Sequence, residues 1–259
     1  MAVAFDVADH IARVTIDRAE RMNAVDDTTA DELEAIWQRI EASDDIRVVI
    51  LTGSGGKAFC AGADMKAGGK TLSGLEYWAH AREDGFGGLA LRKSLHVPVI
   101  ARVNGLAVGG GFELVLGCDI VIAAEHASFG LPEARVGRMP LDGGMLQLPR
   151  MIPQKIAMGM LLTGRRISAA EALGYGLINE VVAADELDAA VERWAADILK
   201  CAPLSVRAIK ECVKETNDLP LDEARSKRLP ALVAALQSQD SDEGPRAFRE
   251  KREPDWKGR

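Results

Sequence analysis

The chain has 259 residues, of which 47% are hydrophobic and 27% charged, and its formal net charge at pH 7 is −7. This length and composition predict a folded protein with a large core and exclude a disordered chain. The acidic balance argues against a general affinity for nucleic acid or for an anionic membrane surface. The four cysteines have no CxxC spacing, which favours free thiols and a cytoplasmic location over a disulfide-bonded secreted protein.

The sequence predicts neither a signal peptide nor a membrane span. Its first residues lack a basic segment followed by an apolar core. The apolar run 105–124 is long enough to cross a membrane, but it contains Glu113 and Asp119. Because an acidic residue at the centre of a spanning helix costs roughly 2.5–3.5 kcal/mol, we interpret this run as a turn, a helix and a strand.

The N-terminal half alternates strand and helix patterns. Apolar alternation over residues 1–16 predicts two strands that are joined by a turn. Thr29 and Glu32 have the spacing of a capping box, which predicts the start of a helix that extends to about Ile40. Apolar runs predict three buried strands, at residues 47–53, 97–103 and 119–124. This order predicts an α/β fold with a parallel sheet.

The C-terminal part has a different character, with mostly helical patterns. Ser168 and Glu171 predict a short capped helix that ends at Gly174. A short strand is expected within 177–182, and helices follow it, one of them starting at Pro203. No repeat or linker separates these helices from the rest, so we expect a helical subdomain of the same unit.

Two glycine-rich corners follow two of the predicted strands. The corner FCAGAD (59–64) follows the first and VGGGFE (108–113) follows the second. Ligands bind at such corners along the carboxyl edge of a parallel sheet, where the first N–H groups of a helix have no partner. If each corner offers one N–H to the same point, the two form an oxyanion hole. Glu113 lies one helical turn further on, so its carboxylate can face the same cavity.

Each feature taken alone also has a structural interpretation. A glutamate after a glycine corner is often a helix cap or a solvated residue, and Glu133 has Arg135 and Arg138 as alternative partners. The run GLAVGGG lacks the spacing of a dinucleotide fingerprint. The histidines have no metal-ligand spacing, so no metal site is predicted, and the tail 248–259 has the composition of a solvated charged end.

Five segments resemble the crotonase, or enoyl-CoA hydratase, family, and together they extend over nearly the whole chain. They are NAV (23–25), KAFCAGADMK (57–66), ARVNGLAVGGGFELVLGCDIVIA (101–123), ASFGLPEARVGRMP (127–140) and LTGRRISAAEALGYGLINEVV (162–182). The resemblance implies the ClpP/crotonase-like fold, in which ββα units repeat. It also implies a core over residues 1–190, with the CoA-thioester site, and a helical trimerisation subdomain over 191–259.

The same resemblance implies a set of site residues. Oxyanion-hole amides are expected at Ala63 and Gly110, and catalytic glutamates at Glu113 and Glu133. Glu113 is expected to act on the water at C3 and Glu133 on the proton at C2, while the two amides stabilise charge on the thioester oxygen. Coenzyme A contacts are expected from Ala24, Ala61, Lys66, Phe248 and Lys251, of which the last two would reach the site of an adjacent subunit.

The resemblance therefore implies a hydro-lyase that adds or eliminates water at C2–C3 of an acyl-CoA thioester. No metal or redox cofactor is expected, because coenzyme A arrives as part of the substrate. The expected assembly is a homotrimer or a dimer of trimers, with no nucleic-acid or membrane partner. The alternatives are an enoyl-CoA isomerase, which needs one proton-shuttling glutamate, and a catalytically inactive protein that binds acyl-CoA or RNA.

One loop departs from the pattern of many fatty-acyl hydratases, Gly-x-x-Pro-Gly-x-Gly-Gly. Here residues 137–144 read GRMPLDGG, with Leu141 at the usual glycine and Asp142 beside it. Both residues are expected to line the acyl pocket. The tail and LQLPRMIP (146–153) look closest to the carnitinyl-CoA dehydratases of the family, whose 3-hydroxyacyl group bears a trimethylammonium. An acidic side chain at position 142 would attract such a cation. The alternative is that Asp142 is an ordinary surface acid.

Overall fold

The computed structural model describes residues 1–66, 73–80 and 82–259. The described strands, β1 to β10, are Val3–Ala8, Ile11–Ile16, Val48–Gly53, Ala58–Cys60, Val99–Val103, Leu106–Val108, Ile120–Ala124, Ser128–Gly130, Ile167–Ser168 and Glu180–Val182. The described helices, α1 to α11, are Asp27–Glu41, Gly74–Ala79, Gly110–Gly117, Gly144–Met151, Gln154–Thr163, Ala169–Gly174, Leu187–Leu199, Pro203–Thr216, Leu221–Ser226, Pro230–Gln237 and Gln239–Glu250. Short 3₁₀ turns occupy Ala19–Arg21, Phe86–Gly88 and Glu133–Val136.

The strands form two sheets. The larger sheet has the order β1-β2-β3-β5-β7-β10 and is parallel except for the antiparallel β1–β2 pair. The smaller sheet has the order β4-β6-β8-β9, with only β9 antiparallel. Strands β3, β5 and β7 of the larger sheet each lead into a short strand of the smaller one, and a helix follows the first two pairs. This repeated ββα unit confirms the predicted α/β class.

Both faces of the larger sheet are buried, which explains its continuous apolar runs. In β3, Val49 and Leu51 face a core that α1 closes, while Val48 and Ile50 face a second core under α7. Residues of α1 with no exposed surface include Trp37, whose indole N–H donates to the Gly87 carbonyl at 2.7 Å. Helix α1 therefore fixes the 3₁₀ turn that precedes β5.

The two predicted capping boxes have different outcomes. Ser168 and Glu171 form the expected box at the start of α6. Helix α1 instead has Asp26 as its N-cap, whose carboxylate accepts the N–H of Thr29 at 2.9 Å. The prediction of a box at Thr29 and Glu32 is wrong, because Asp26 already caps the helix three residues before Thr29, and α1 begins at Asp27. The Glu32 carboxylate accepts N–H groups at the chain start instead.

The glycine-rich corners meet, but at the smaller sheet and not at the edge of the larger one. The first corner begins in β4 and the second in β6, and these two strands pair in parallel, with Cys60 opposite Ala107. From the sequence, the corners were expected directly after the long strands. A three-residue strand has no readable periodicity, so β4 and β6 were not predicted. Their pairing brings the two corners side by side.

The C-terminal helices are tied to the core by buried charges. Helix α7 covers the outer face of the larger sheet, so the expected boundary between residues 190 and 191 falls inside this helix. On α8, the Lys210 ammonium donates to Asp119 Oδ2 at 2.6 Å and to the Val97 carbonyl at 2.7 Å. Lys214 donates to the Arg92 carbonyl at 2.9 Å. The helical part thus continues the same packed unit.

The tail beyond α11 folds back and is not the solvated end that its composition allows. The Asp240 carboxylate accepts the N–H groups of Lys257 and Gly258 at 2.7 and 2.9 Å. The Trp256 indole donates to the Lys200 carbonyl at 2.8 Å. None of the described helices is long and apolar enough to cross a membrane. All four cysteines are free thiols, as predicted.

Candidate active site

The triple glycine at the start of α3 is required by three close approaches. A Cβ atom at Gly111 would lie 2.1 Å from the Cys60 carbonyl oxygen, and one at Gly110 would lie 2.4 Å from the Phe86 ring. Gly109 has φ +58, and a Cβ atom there would lie 3.0 Å from Glu133 Oε1. Because each side chain would displace a neighbour, only glycine lets α3 begin against β4 with Glu133 beside it.

Two backbone N–H groups at this corner have no acceptor among the described residues. Gly62, with φ +85, brings its backbone so close that a Cβ atom there would lie 3.1 Å from the Gly110 nitrogen. The residues on both sides of Ala63 pair with Val25, through Gly62 O and Asp64 N, which leaves the Ala63 N–H unused. Within the described chain, neither the Ala63 nor the Gly110 N–H donates a hydrogen bond. These are the two amides that the sequence singled out.

Glu113 is a buried carboxyl in the first turn of α3. Glu113 is 3% exposed, and its Oε1 atom accepts a hydrogen bond from the Gly144 N–H at 2.9 Å. Burial, and after it the charges of Asp142 and Glu133, raise its pKa to about 8, against the lowering effect of the Gly144 N–H. Glu113 is therefore mostly protonated at neutral pH and can act as a proton donor.

Glu133 begins the 3₁₀ turn Glu133–Val136 and lies against the Cα atom of Gly109. Its Oε2 atom is buried and has no hydrogen-bond partner among the described residues. Burial raises the pKa of this carboxyl as well. Arg135, one of the alternative partners considered from the sequence, donates instead to the Thr163 carbonyl at 2.7 Å. A buried acceptor without a partner is the exception in folded proteins, and it leaves this oxygen able to bind a water or a ligand proton.

Asp142 is buried, 4% exposed, and accepts a hydrogen bond from the Tyr77 hydroxyl. The alternative of an ordinary surface acid is therefore wrong. Burial raises the pKa of Asp142, whereas the Tyr77 hydroxyl lowers it. Burial and the Asp142 charge raise the pKa of Tyr77, so the phenol stays a donor at neutral pH. The neighbouring Leu141 is half-buried.

Tyr77 and Phe86 were missed by the sequence analysis. Both belong to the stretch 66–86, which was interpreted only as loop and helix, and of which residues 67–72 and 81 lie outside the described residues. Tyr77 stands on the six-residue helix α2, which starts with a capping box at Ser73. That box was a readable signal for the helix, but no local pattern predicts the partner of a tyrosine 65 residues away in sequence.

The N-terminal residues expected to contact coenzyme A lie together around the loop after β4. The Ala61 N–H donates to the carbonyl of Met22, two residues before Ala24, at 3.0 Å. Arg18 donates to the Ala24 carbonyl and to Asp64, and so joins both segments. Lys66 is exposed at the end of this loop.

The C-terminal pair expected to contact coenzyme A lies elsewhere. Phe248 is 86% exposed near the end of α11, and Lys251 follows the helix in a left-handed conformation with φ +55. No hydrogen bond or ion pair in the described parts of the chain joins either side chain to the loop after β4. Among the described residues, no three or more His, Cys, Asp or Glu side chains are grouped to hold a metal ion.

This arrangement offers three elements of acid–base chemistry on a carbonyl compound. The N–H groups of Ala63 and Gly110, which have no acceptor among the described residues, can donate to an oxygen that gains negative charge. Two carboxyls, Glu113 and Glu133, stand beside them to give and take protons. Asp142 adds a third buried carboxyl, which is held by a phenol.

Comparison with known proteins gives likenesses over the whole chain. The family described as "Enoyl-CoA hydratase/isomerase" matches residues 6–259. The carnitinyl-CoA dehydratases of Proteus mirabilis (strain HI4320) and Citrobacter koseri are 43% and 42% identical to it over 253 residues, which cover 96% of this chain and 95% of each relative. The solved enoyl-CoA hydratase of Bacillus anthracis is 36% identical, with a TM-score of 0.88 and full coverage of both chains. That of Mycobacterium tuberculosis H37Rv is 34% identical, with a TM-score of 0.90, covering 100% of this chain and 99% of its own. These likenesses confirm the predicted fold class.

Glu113→Gln should stabilise the fold, and more so as pH rises. The amide keeps an oxygen for the Gly144 N–H but needs no proton. Between the ordinary pKa of 4.5 and the folded value of about 8, the folded protein binds one more proton than the unfolded chain, so wild-type stability falls with pH across this range. We expect a gain of about 2–5 kcal/mol in the free energy of unfolding at pH 9 and a much smaller gain at pH 5.

Urea unfolding at both pH values and one protein concentration measures this gain. The exposed Glu125→Gln is the matched control and should give the same change at both pH values. An unchanged free energy of unfolding for Glu113→Gln at pH 9 would contradict the assignment of a buried, proton-holding carboxyl.

Proposed function

Because the chain belongs to the enoyl-CoA hydratase/isomerase family, we propose that Glu113 and Glu133 carry out its hydro-lyase chemistry. The reaction adds or eliminates water at C2–C3 of an acyl-CoA thioester. The observation that carries the proposal is that the Glu133 carboxyl lies against Gly109, that its charge acts on the Glu113 carboxyl, and that the adjoining Gly110 N–H has no acceptor among the described residues. Water chemistry moves two protons, one on oxygen and one on carbon, and so uses two such groups. An isomerase needs only one.

The thioester oxygen is proposed to bind the N–H groups of Ala63 and Gly110. Removal of a C2 proton places negative charge on that oxygen, and fixed donors stabilise the charge without reorganisation. The Gly110 N–H also opens α3, so the positive end of the helix dipole points the same way. One such donor is typically worth about 2.7–4 kcal/mol in the barrier.

Elimination then follows from the protonation of the two glutamates. Ionised Glu133 takes the C2 proton, and protonated Glu113 gives its proton to the leaving hydroxyl at C3. The C2–H and C3–O bonds break, the C2=C3 double bond forms, and water leaves. A Glu113 pKa of about 8 supports this direction at neutral pH. In the addition direction, Glu113 takes a proton from water and Glu133 returns one to C2.

Glu113→Gln and Glu133→Gln should each lower kcat by roughly 10²–10⁴, because an amide cannot transfer the proton. The double variant should lose little more, since both groups serve one step. Hydration of crotonyl-CoA, followed by the loss of its enoyl absorbance, measures these rates, with Glu125→Gln as the control. Near-normal turnover by folded Glu133→Gln would favour the isomerase, and a wild type inactive on every enoyl thioester would favour the binding protein.

The acyl group is proposed to carry a positive charge, as a trimethylammonium does. Asp142 and Leu141 then form part of the acyl pocket. Support comes from the burial of Asp142 and from its phenol partner, which stabilises the ionised form. The Asp142 charge acts on Glu113, so the two carboxyls lie in one region of the site. Matched relatives named carnitinyl-CoA dehydratase agree with a cationic acyl group.

Crotonobetainyl-CoA should be preferred over crotonyl-CoA in kcat/KM, and Asp142→Asn should reduce that preference. Opposite charges about 4 Å apart attract by about 1 kcal/mol in water and roughly 4 kcal/mol at a protein surface, so the preference should fall at least about fivefold. Both thioesters are measured with both proteins, and the crotonyl-CoA value serves as the internal control. Equal or better turnover of crotonyl-CoA by the wild type would contradict a cationic acyl group and would indicate a general short-chain enoyl-CoA hydratase.

A homotrimer or a dimer of trimers is proposed, with the helices beyond residue 190 at the subunit contacts. Ile209, Leu236 and Phe248 are 64%, 70% and 86% exposed on α8, α10 and α11, so these helices offer apolar side chains that a subunit contact would bury. Phe248 and Lys251 would contact coenzyme A of the adjacent subunit. Sedimentation equilibrium should give a mass of three or six chains.

Phe248→Ala and Lys251→Ala should raise KM for the thioester without lowering kcat, whereas the exposed Lys227→Ala should change neither. A monomer that binds coenzyme A normally with both substitutions would contradict this assembly.

A further inference from the structure

A short segment connects Tyr77 to Glu113. The Tyr77 hydroxyl donates to Asp142 Oδ2, and two residues later the Gly144 N–H donates to Glu113 Oε1 at 2.9 Å. The intervening Gly143 has φ +111, a conformation that side chains rarely adopt. One tight turn therefore presents an anion and an N–H donor to the same site, and the phenol holds that turn in place.

Glu113 and Asp142 compete for protons. Both residues are at least 96% buried, at 3% and 4% exposure, and the Asp142 charge acts on Glu113. Two nearby buried carboxylates do not both ionise without cost, so the first proton goes to the group whose anion is less stabilised. Neutral backbone N–H groups, of Gly144 and more weakly of Asp142, act on Glu113, and Tyr77 gives Asp142 a hydroxyl. The hydroxyl therefore decides which carboxyl stays ionised.

We infer that Tyr77 is a positioning residue that keeps the catalytic proton on Glu113 by holding Asp142 as the anion. The inference rests on the proposed function, in which Glu113 gives this proton to the leaving hydroxyl. Without the Tyr77 hydroxyl, Asp142 competes for the proton. A larger fraction of the molecules then contains Glu113 as a carboxylate, which cannot assist the departure of water.

Other charged groups around this cluster act more weakly or in the same sense. The Glu133 carboxyl raises the proton affinity of Glu113 from beyond Gly109, and Cys60 of β4 is a buried neutral thiol. Arg82 acts on Tyr77 and is itself paired with Asp31 at 2.9 Å. Of the described elements packed on α3, β6 and the turn before β5 carry no titratable side chain, and α4 carries Arg150, whose exposed guanidinium lies 4.0 Å from Asp218.

The kinetic test uses elimination from 3-hydroxybutyryl-CoA, whose acyl group is uncharged, so that cation binding does not enter. Tyr77→Phe should lower kcat about tenfold, the size of one hydrogen bond to a charged group, with little change in KM. Asp142→Asn should move the fall in rate near pH 8 to lower pH, because the charge that raises the Glu113 pKa is gone. In the Asp142→Asn background, Tyr77→Phe should have no further effect.

The matched control is Tyr175→Phe, which removes the chain's only other phenol and should leave kcat and the pH profile unchanged. A Tyr77→Phe variant with wild-type kcat overturns the inference. So does a Tyr77→Phe loss of equal size with and without Asp142, because it would show that the phenol acts on its own.

Infrared difference titration of the free protein shows which carboxyl is protonated, without any substrate. The protonated-carboxyl band that Glu113→Gln removes should disappear in the wild type as pH rises through about 8. In Tyr77→Phe at pH 7 this band should weaken, and a second band should appear that Tyr77→Phe/Asp142→Asn lacks. An unchanged Glu113 band in Tyr77→Phe overturns the inference. If the bands shift as expected while no thioester is hydrated or dehydrated, the proposed function fails and the proton placement stands.

Discussion

The site depends on one close approach, that of the first turn of α3 to the end of β4. Gly111 lies so near the Cys60 carbonyl that any side chain would collide with it. This contact places the Gly110 N–H beside the loop of Gly62 and Ala63. It also leaves room for the Glu133 carboxyl against Gly109, and it turns Glu113 into the interior. A larger residue at any of these glycines would separate the donors from the acids.

The burial of Glu113 is the second physical constraint on the site. It lowers the stability of the fold, and it raises the pKa that the proposed proton transfer uses. A carboxyl as buried as Glu113 destabilises the folded state once it must ionise, and the Gly144 N–H offsets part of that cost. The same burial raises its pKa into the range where a proton donor works at neutral pH. The apolar cores on both faces of the larger sheet stabilise the fold against this cost.

Most elements were predicted from local patterns in the sequence. The features that were not predicted depend on contacts between residues that are distant in sequence. The strands of the larger sheet and the capping box at Ser168 follow from residues close together in the chain, so the sequence predicts them. The three-residue strand β4 is too short for periodicity, and the choice of Asp26 over Thr29 as N-cap depends on which acceptor comes first. The bond from Tyr77 to Asp142 joins segments with no shared motif. Glu133 was identified by the family resemblance. That its Oε2 atom has no hydrogen-bond partner among the described residues is evident only from the structure.

A crystal structure of the Glu133→Gln variant with a bound 3-hydroxyacyl-CoA tests the central claim most directly, because slow turnover should retain the thioester. The account predicts the thioester oxygen at about 2.7–3.1 Å from both the Ala63 and Gly110 nitrogens. It also predicts C3 and its hydroxyl beside Glu113, with C2 beside the substituted side chain. A thioester oxygen that meets neither N–H, or a C3 hydroxyl turned away from Glu113, would contradict it.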